Sequence, residues 1–85
     1  MHDEDATTLS ELVGLNLRRI RQDRGQSQEG LAQEIGVHRT LIGAIERGDR
    51  NLSLRSIERL ADRLEVDVRR LFDAPDQPPP RLAAE

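Results

Sequence analysis

The chain has 85 residues, of which 35% are hydrophobic and 1% aromatic, with no cysteine and a net charge of −3. That length allows one small domain with a thin aliphatic core, which burial of a further apolar face in a dimer would help to stabilise. The absence of cysteine excludes a disulfide framework and a cysteine-based metal site, and no apolar run approaches membrane-spanning length.

Residues 1–8 are polar and acidic, and the reading is a flexible N-terminal segment that does not resemble a signal peptide, pointing to a bacterial cytoplasm. A first helix is predicted over 9–24. Leu9, Leu12, Val13, Leu17 and Ile20 recur at three- and four-residue steps, Arg18, Arg19, Arg21 and Arg24 fall mostly on the other faces, and Gly25 closes it. Two short helices follow, predicted over 28–35 and 38–47. Ser27 is a suitable N-cap for the first, and Gly36 supplies the left-handed residue between them at no Cβ cost. Gly48 stops the second. Two helices around a glycine turn form a helix-turn-helix. Gly30 stands where an acidic residue would complete a capping box, a loss of about 1 kcal/mol. Ser53 caps a fourth helix predicted over 54–64, and Asp67 caps a short fifth over 68–73. All four prolines lie beyond it, so residues 74–85 are expected as a disordered or extended tail. The expected architecture is all-α: a compact five-helix bundle over residues 9–73.

Charge is unevenly spread. Residues 15–72 hold twelve arginines against nine acids, while both ends are acidic, so the folded part is basic. Every basic residue is Arg. Codon bias in a GC-rich genome accounts for most of that, but Arg also suits bidentate contact with phosphate and guanine.

A helix of this kind fits the major groove, its N-terminal side chains reaching base edges first. Arg39, Thr40, Gly43 and Ala44 are therefore the candidate base-reading positions, with Arg39 able to donate twice to guanine. Ser27, His38, Arg47, Arg50, Asn51 and Arg55 are candidate phosphate contacts. Leu64, Val66, Val68, Leu71 and Phe72 exceed the needs of so small a core and form a candidate self-complementary dimer patch; burial in the domain's own core is the alternative. His38 lacks partners for a metal site, no nucleophile–base constellation exists, and no cofactor or small-molecule ligand is expected. Arg59, Arg63 and Arg69 read as solvated helix surface.

The run SQEGLAQEIGVHRTLIGAIERG, residues 27–48, resembles the Cro/cI-type (XRE-like) DNA-binding domains, and VHRTLIGAIERGDRN narrows the resemblance to controller proteins of restriction–modification systems. The similarity covers residues 13–72. It implies a lambda-repressor-like fold, a homodimer on double-stranded operator DNA, and no enzymatic activity, with RNA polymerase a further candidate partner. It implies that Gln28 touches the DNA backbone and that Arg21 and Glu46 form a structural ion pair between the first helix and the recognition helix. Two positions depart from the pattern: Gln26 replaces a large apolar residue, and Leu41 stands where relatives often carry Tyr. The competing reading is a protein-binding module of the same fold, an antitoxin or adaptor, motivated by the acidic ends and the proline-rich tail.

Overall fold

A computed structural model describes residues 8–74. It contains α1 (Leu9–Asp23), α2 (Gln28–Ile35), α3 (Arg39–Glu46), α4 (Leu54–Leu64) and a 3-10 helix, Val68–Phe72. Four α-helices are present among the described residues, with no strand, so the expected fifth α-helix is corrected to a 3-10 turn. The reason is local. Asp67 caps the segment by accepting from Arg69 N–H, Arg70 N–H closes back onto Asp67 C=O at 2.9 Å, and Asp73 is already extended. Five residues leave too little room for an i to i+4 ladder. The Arg69 side chain and N–H hold the Asp67 carboxyl at a pKa of about 2, below the usual carboxylate range. The flexible acidic segment and the proline-rich tail expected at the ends lie outside the described residues, apart from Thr8 and Ala74. Thr8 is the N-cap of α1 and forms a capping box with Glu11: Thr8 Oγ1 accepts from Glu11 N–H at 3.1 Å, and Glu11 Oε1 accepts from Thr8 N–H at 3.0 Å.

The core is aliphatic. Val13, Leu17 and Ile20 of α1 meet Leu31, Ala32 and Ile35 of α2, Ile42 and Ile45 of α3, Ile57, Leu60, Ala61 and Leu64 of α4, and Leu71. Two residues read as part of these apolar stripes stand outside: Leu9 is 65% exposed and Leu54 74%, each at the first position of its helix where the stripe overshoots the neighbouring element.

Two residues in α1 set how the other elements lie. Gly14 is where α1 and α3 touch. A Cβ there would sit 2.2 Å from Ile45 C=O and 2.9 Å from Glu46 C=O, so only glycine permits this approach. Asn16 is 2% exposed, and its Nδ2 donates to Leu12 C=O at 3.1 Å, Leu71 C=O at 3.0 Å and Asp73 C=O at 2.7 Å. One buried carboxamide thereby ties the 3-10 segment to α1 across 55 residues of chain.

Arginines close two helix ends. Arg24 Nη2 donates to Leu64 C=O at 2.6 Å and Arg63 Nη1 to Ile35 C=O at 2.7 Å, each reaching the last carbonyl of a helix that lacks an onward partner. Arg63 is thus more than the solvated residue expected. Its neighbour at the end of α4, Glu65, is held left-handed at φ 61, a conformation costing a non-glycine residue about 1–2 kcal/mol. Gln26 follows the α1 cap. Its Nε2 donates to Glu34, while its Oε1 is buried and accepts from no group among the described residues.

Two outcomes follow from this packing. Gly14→Ala is expected to destabilise the domain by about 3 kcal/mol or more, read as a lower urea midpoint, because two backbones must separate. Gln26→Leu is expected to raise the midpoint by the equivalent of about 1 kcal/mol, since it removes a buried acceptor and restores apolar contact; a fall would refute the packing account.

Candidate nucleic-acid interface

The recognition unit is built from α2 and α3. Ser27 caps α2 by accepting from Gly30 N–H at 2.9 Å, and the missing carboxylate at position 30 leaves this bond as the side-chain half of the cap. Gly36 ends α2 at φ 77. His38 then caps α3, its Nδ1 accepting from Thr40 N–H at 3.1 Å, which leaves the Nε2–H as its free donor. The apolar side of α3, Ile42 and Ile45, is fully buried. On the opposite side His38, Arg39 and Thr40 are exposed and Ala44 is half-buried. No described element covers Arg39 or Thr40, and Arg39 makes no hydrogen bond or ion pair among the described residues.

A polar network fixes α3 against α1 and α2. Arg21 Nε donates to Glu46 Oε2 at 2.6 Å and Nη2 to Oε1 at 3.0 Å, a bidentate pair. The two side chains are 13% and 5% exposed, so this is an interior ion pair. The Glu46 carboxylate raises the Arg21 pKa further above its ordinary value, mainly through the hydrogen bond. Arg21 Nη1 also donates to Gln26 C=O at 2.9 Å. Gln28 Nε2 donates to Glu46 Oε1 at 3.0 Å, so the first side chain of α2 is tethered to the last residue of α3. The carboxylate that would repel DNA is neutralised and capped within the fold.

The other candidate phosphate residues surround this network. Arg47 pairs with Asp49 at 2.9 Å on the open surface. Arg50, Asn51 and Arg55 are exposed on the α3–α4 connection and the start of α4; Asn51 Oδ1 also accepts from Ser10 Oγ at 3.4 Å. Gly43 requires correction as a base-reading position. It is buried, and a Cβ on it would lie 3.2 Å from Arg47 Nη1 and 3.5 Å from Gln28 Oε1. Those side chains roof it, and its missing Cβ gives them the space.

The dimer patch is corrected in part as well. Leu64 is 1% exposed and Leu71 0%, both inside the domain's own core. Val66, Val68 and Phe72 remain half-buried at the edge. The open apolar surface lies instead around Leu9, Leu54 and Phe72, which with Ser10, Val13, Leu52 and Ile57 line a shallow depression. The residues missed from sequence were Gly14 and Asn16. A glycine inside a strong helical pattern was the available signal for the first, and a polar residue flanked by Val13 and Leu17 for the second. Among the described residues no three His, Cys, Asp or Glu side chains cluster as metal ligands, and no helix is long and apolar enough to cross a membrane.

Removing one partner of the interior pair strands the other. Glu46→Gln is expected to cost about 3 kcal/mol in urea unfolding, and the double replacement Arg21→Met with Glu46→Met to recover most of that. A single replacement within about 0.5 kcal/mol of the parent would show that the bridge holds nothing.

The helix-turn-helix family profile HTH_3 matches residues 17–71. Control protein C.BamHI of Bacillus amyloliquefaciens is 46% identical over 63 residues, 73% of this chain and 78% of that protein. The crystal structure of the restriction–modification controller protein C.AhdI from Aeromonas hydrophila superposes with a TM-score of 0.64 at 43% identity, covering 74% of this chain and 96% of that one. The controller protein C.Esp1396I, solved as a tetramer with its natural 35 base-pair operator, gives 0.65 at 38% identity over 75% of this chain and 84% of that one. The profile spans α2 and α3, and the chain belongs to the helix-turn-helix family that includes the restriction–modification control proteins.

Proposed function

We propose that this chain is a sequence-specific transcriptional regulator that binds operator DNA as a homodimer and controls a restriction–modification operon. One observation carries the reading: Arg39 and Thr40 stand exposed at the N-terminal end of a helix whose other side is locked into the fold, and their side chains have no partner among the described residues. The N-terminal end of a recognition helix is the part that enters the major groove deepest. Arg39 reads guanine through its two-donor fork, and Thr40 and Ala44 contact a base edge or a thymine methyl. Ser27, Gln28 and His38 contact the phosphates at two helix N-termini, where free N–H groups add to them. Arg47, Arg50, Asn51 and Arg55 take the flanking phosphates.

The homodimer places two such helices about 34 Å apart on one side of the duplex. Leu9, Leu54 and Phe72 form the apolar surface best suited to the contact, with Val66 and Val68 at its margin. Support comes from the relatives, which are control proteins, one of them solved on its own operator. RNA polymerase is the partner through which a bound dimer would act on transcription.

The test is a gel-shift titration on the DNA upstream of the chain's own gene, against an unrelated duplex. The parent is expected to prefer its operator by at least about a thousandfold at physiological salt. Arg39→Ala is expected to weaken operator binding by about 10- to 100-fold and to relax preference at one base pair, with non-specific binding little changed. Equal affinity for both duplexes would defeat the proposal.

A further inference from the structure

Thr8, Ser27, Ser53 and Asp67 cap their helical segments through a side-chain oxygen, while α3 is capped by an imidazole. His38 takes extended backbone, φ −79 and ψ 143, and its Nδ1 accepts from Thr40 N–H at 3.1 Å. That bond needs a bare Nδ1 lone pair, so only the neutral ring can make it; a proton on Nδ1 sets a donor against a donor. Imidazole is also the side chain whose charge ordinarily changes between about pH 5 and 8. The surroundings offer a protonated ring no compensation. The first turn of α3 holds no acid, and the next residue is Arg39. On α2, Glu34 accepts from Gln26, and neither Glu29 nor any other carboxylate pairs with His38 among the described residues. From α4, Arg63 reaches the same turn, its Nη1 donating to Ile35 C=O and lying 3.3 Å from the place of a Cβ on Gly36. A cation at position 38 would join these two guanidiniums at the positive end of a helix.

We infer that His38 is a positioning residue for base reading, that only its neutral form fills this role, and that operator recognition is therefore linked to proton uptake at this one ring. This inference rests on the DNA-binding reading above and deepens it. Arg39 and Thr40 are the first two residues of α3, and the Thr40 N–H is itself the donor of the cap. The buried side chains of α3 begin only at Ile42. Before it, the first turn rests on the cap and on two backbone bonds to His38 C=O, one at 3.0 Å from Leu41 N–H and a long one at 3.4 Å from Ile42 N–H. A helix this short does not hold its first turn by itself. Loss of the cap frays the turn that carries Arg39 and Thr40, which weakens the complex that reads bases and spares the one held by phosphates. The same proton adds a cation beside the phosphates and strengthens binding to any duplex. The sign is thus fixed: the cap is present at higher pH and lost as pH falls, and both effects lower the ratio of operator affinity to random-duplex affinity on acidification.

The experiment titrates the full chain on operator and on random duplex at constant salt, from about pH 7.5 down to about pH 5.5, and reads the ratio of the two affinities. The parent ratio is expected to fall about fivefold, the scale of one N-cap bond, while its affinity for random duplex rises. His38→Asn keeps a capping oxygen that does not titrate: its affinity for both duplexes drops with the lost ring, but its ratio stays level across the range. His38→Ala shows a low ratio at both ends. His2→Asn, which removes the chain's other histidine, follows the parent. In the free chain, an NMR titration is expected to show the Thr40 amide shift moving in step with the His38 ring. A parent ratio indifferent to pH, a pH effect that persists in His38→Asn, or a Thr40 amide that ignores the ring would each overturn the inference. Failure of the DNA-binding reading itself would look different: the parent would prefer neither duplex at any pH, while the Thr40 amide would still follow the ring.

Discussion

The close approach of α1 to α3 is the constraint on which this protein turns. The recognition helix has eight residues, about 12 Å of rise, far short of what holds together as an isolated helix in water. Its existence and its direction are therefore borrowed. Gly14 lets the α1 backbone rest directly on the carbonyls of Ile45 and Glu46, and the Arg21–Glu46 pair closes the same contact from the side. Ile42 and Ile45 then have a rigid wall to pack on, and the far side of the helix is held out to solvent. A contact made of two backbones has little freedom to slide, so the exposed side chains inherit its precision.

Electrostatics follows the same economy. Several acids have a place in the fold: Glu46 in the interior pair, Glu11 and Asp67 at helix N-termini, and Asp49 on Arg47 at the surface. Arg21, Arg24 and Arg63 are likewise committed, to a carboxylate and to helix-end carbonyls. What remains is a set of arginines without partners among the described residues, including Arg39, Arg50, Arg55 and Arg59, on the surface around α3 and along α4. Whole-chain charge is a poor guide to such a face, because screening confines each charge to roughly 10 Å of influence. Glu46 shows the other side of this arrangement: its carboxylate is held by three donors from Arg21 and Gln28.

Local information was legible in the chain and non-local information was not. The caps at Ser27, Ser53 and Asp67 and the left-handed Gly36 could be read directly, because each depends on a few neighbouring residues. So could the exposed Arg39 and Thr40, from the spacing of Ile42 and Ile45. The fifth element was misassigned because apolar spacing at positions 68, 71 and 72 suits α and 3-10 turns alike, and only its five-residue length and the i to i+3 bond distinguish them. For Leu64 and Leu71 the sequence leaves dimer patch and domain core both open, because apolar excess cannot say which neighbour covers it; the structure puts both in the core.

By itself the sequence determined the number and order of helical segments, the turn that joins α2 to α3, and the family to which the segment bearing them belongs, since periodicity, caps and motif spacing are written within a few residues. The tertiary structure alone decided which helices touch, that Gly43 lies roofed by Gln28 and Arg47, that Asn16 holds the 3-10 segment, and which arginines have no partner among the described residues. Those outcomes depend on distances between residues far apart along the chain, and such distances come into being only when the helices pack.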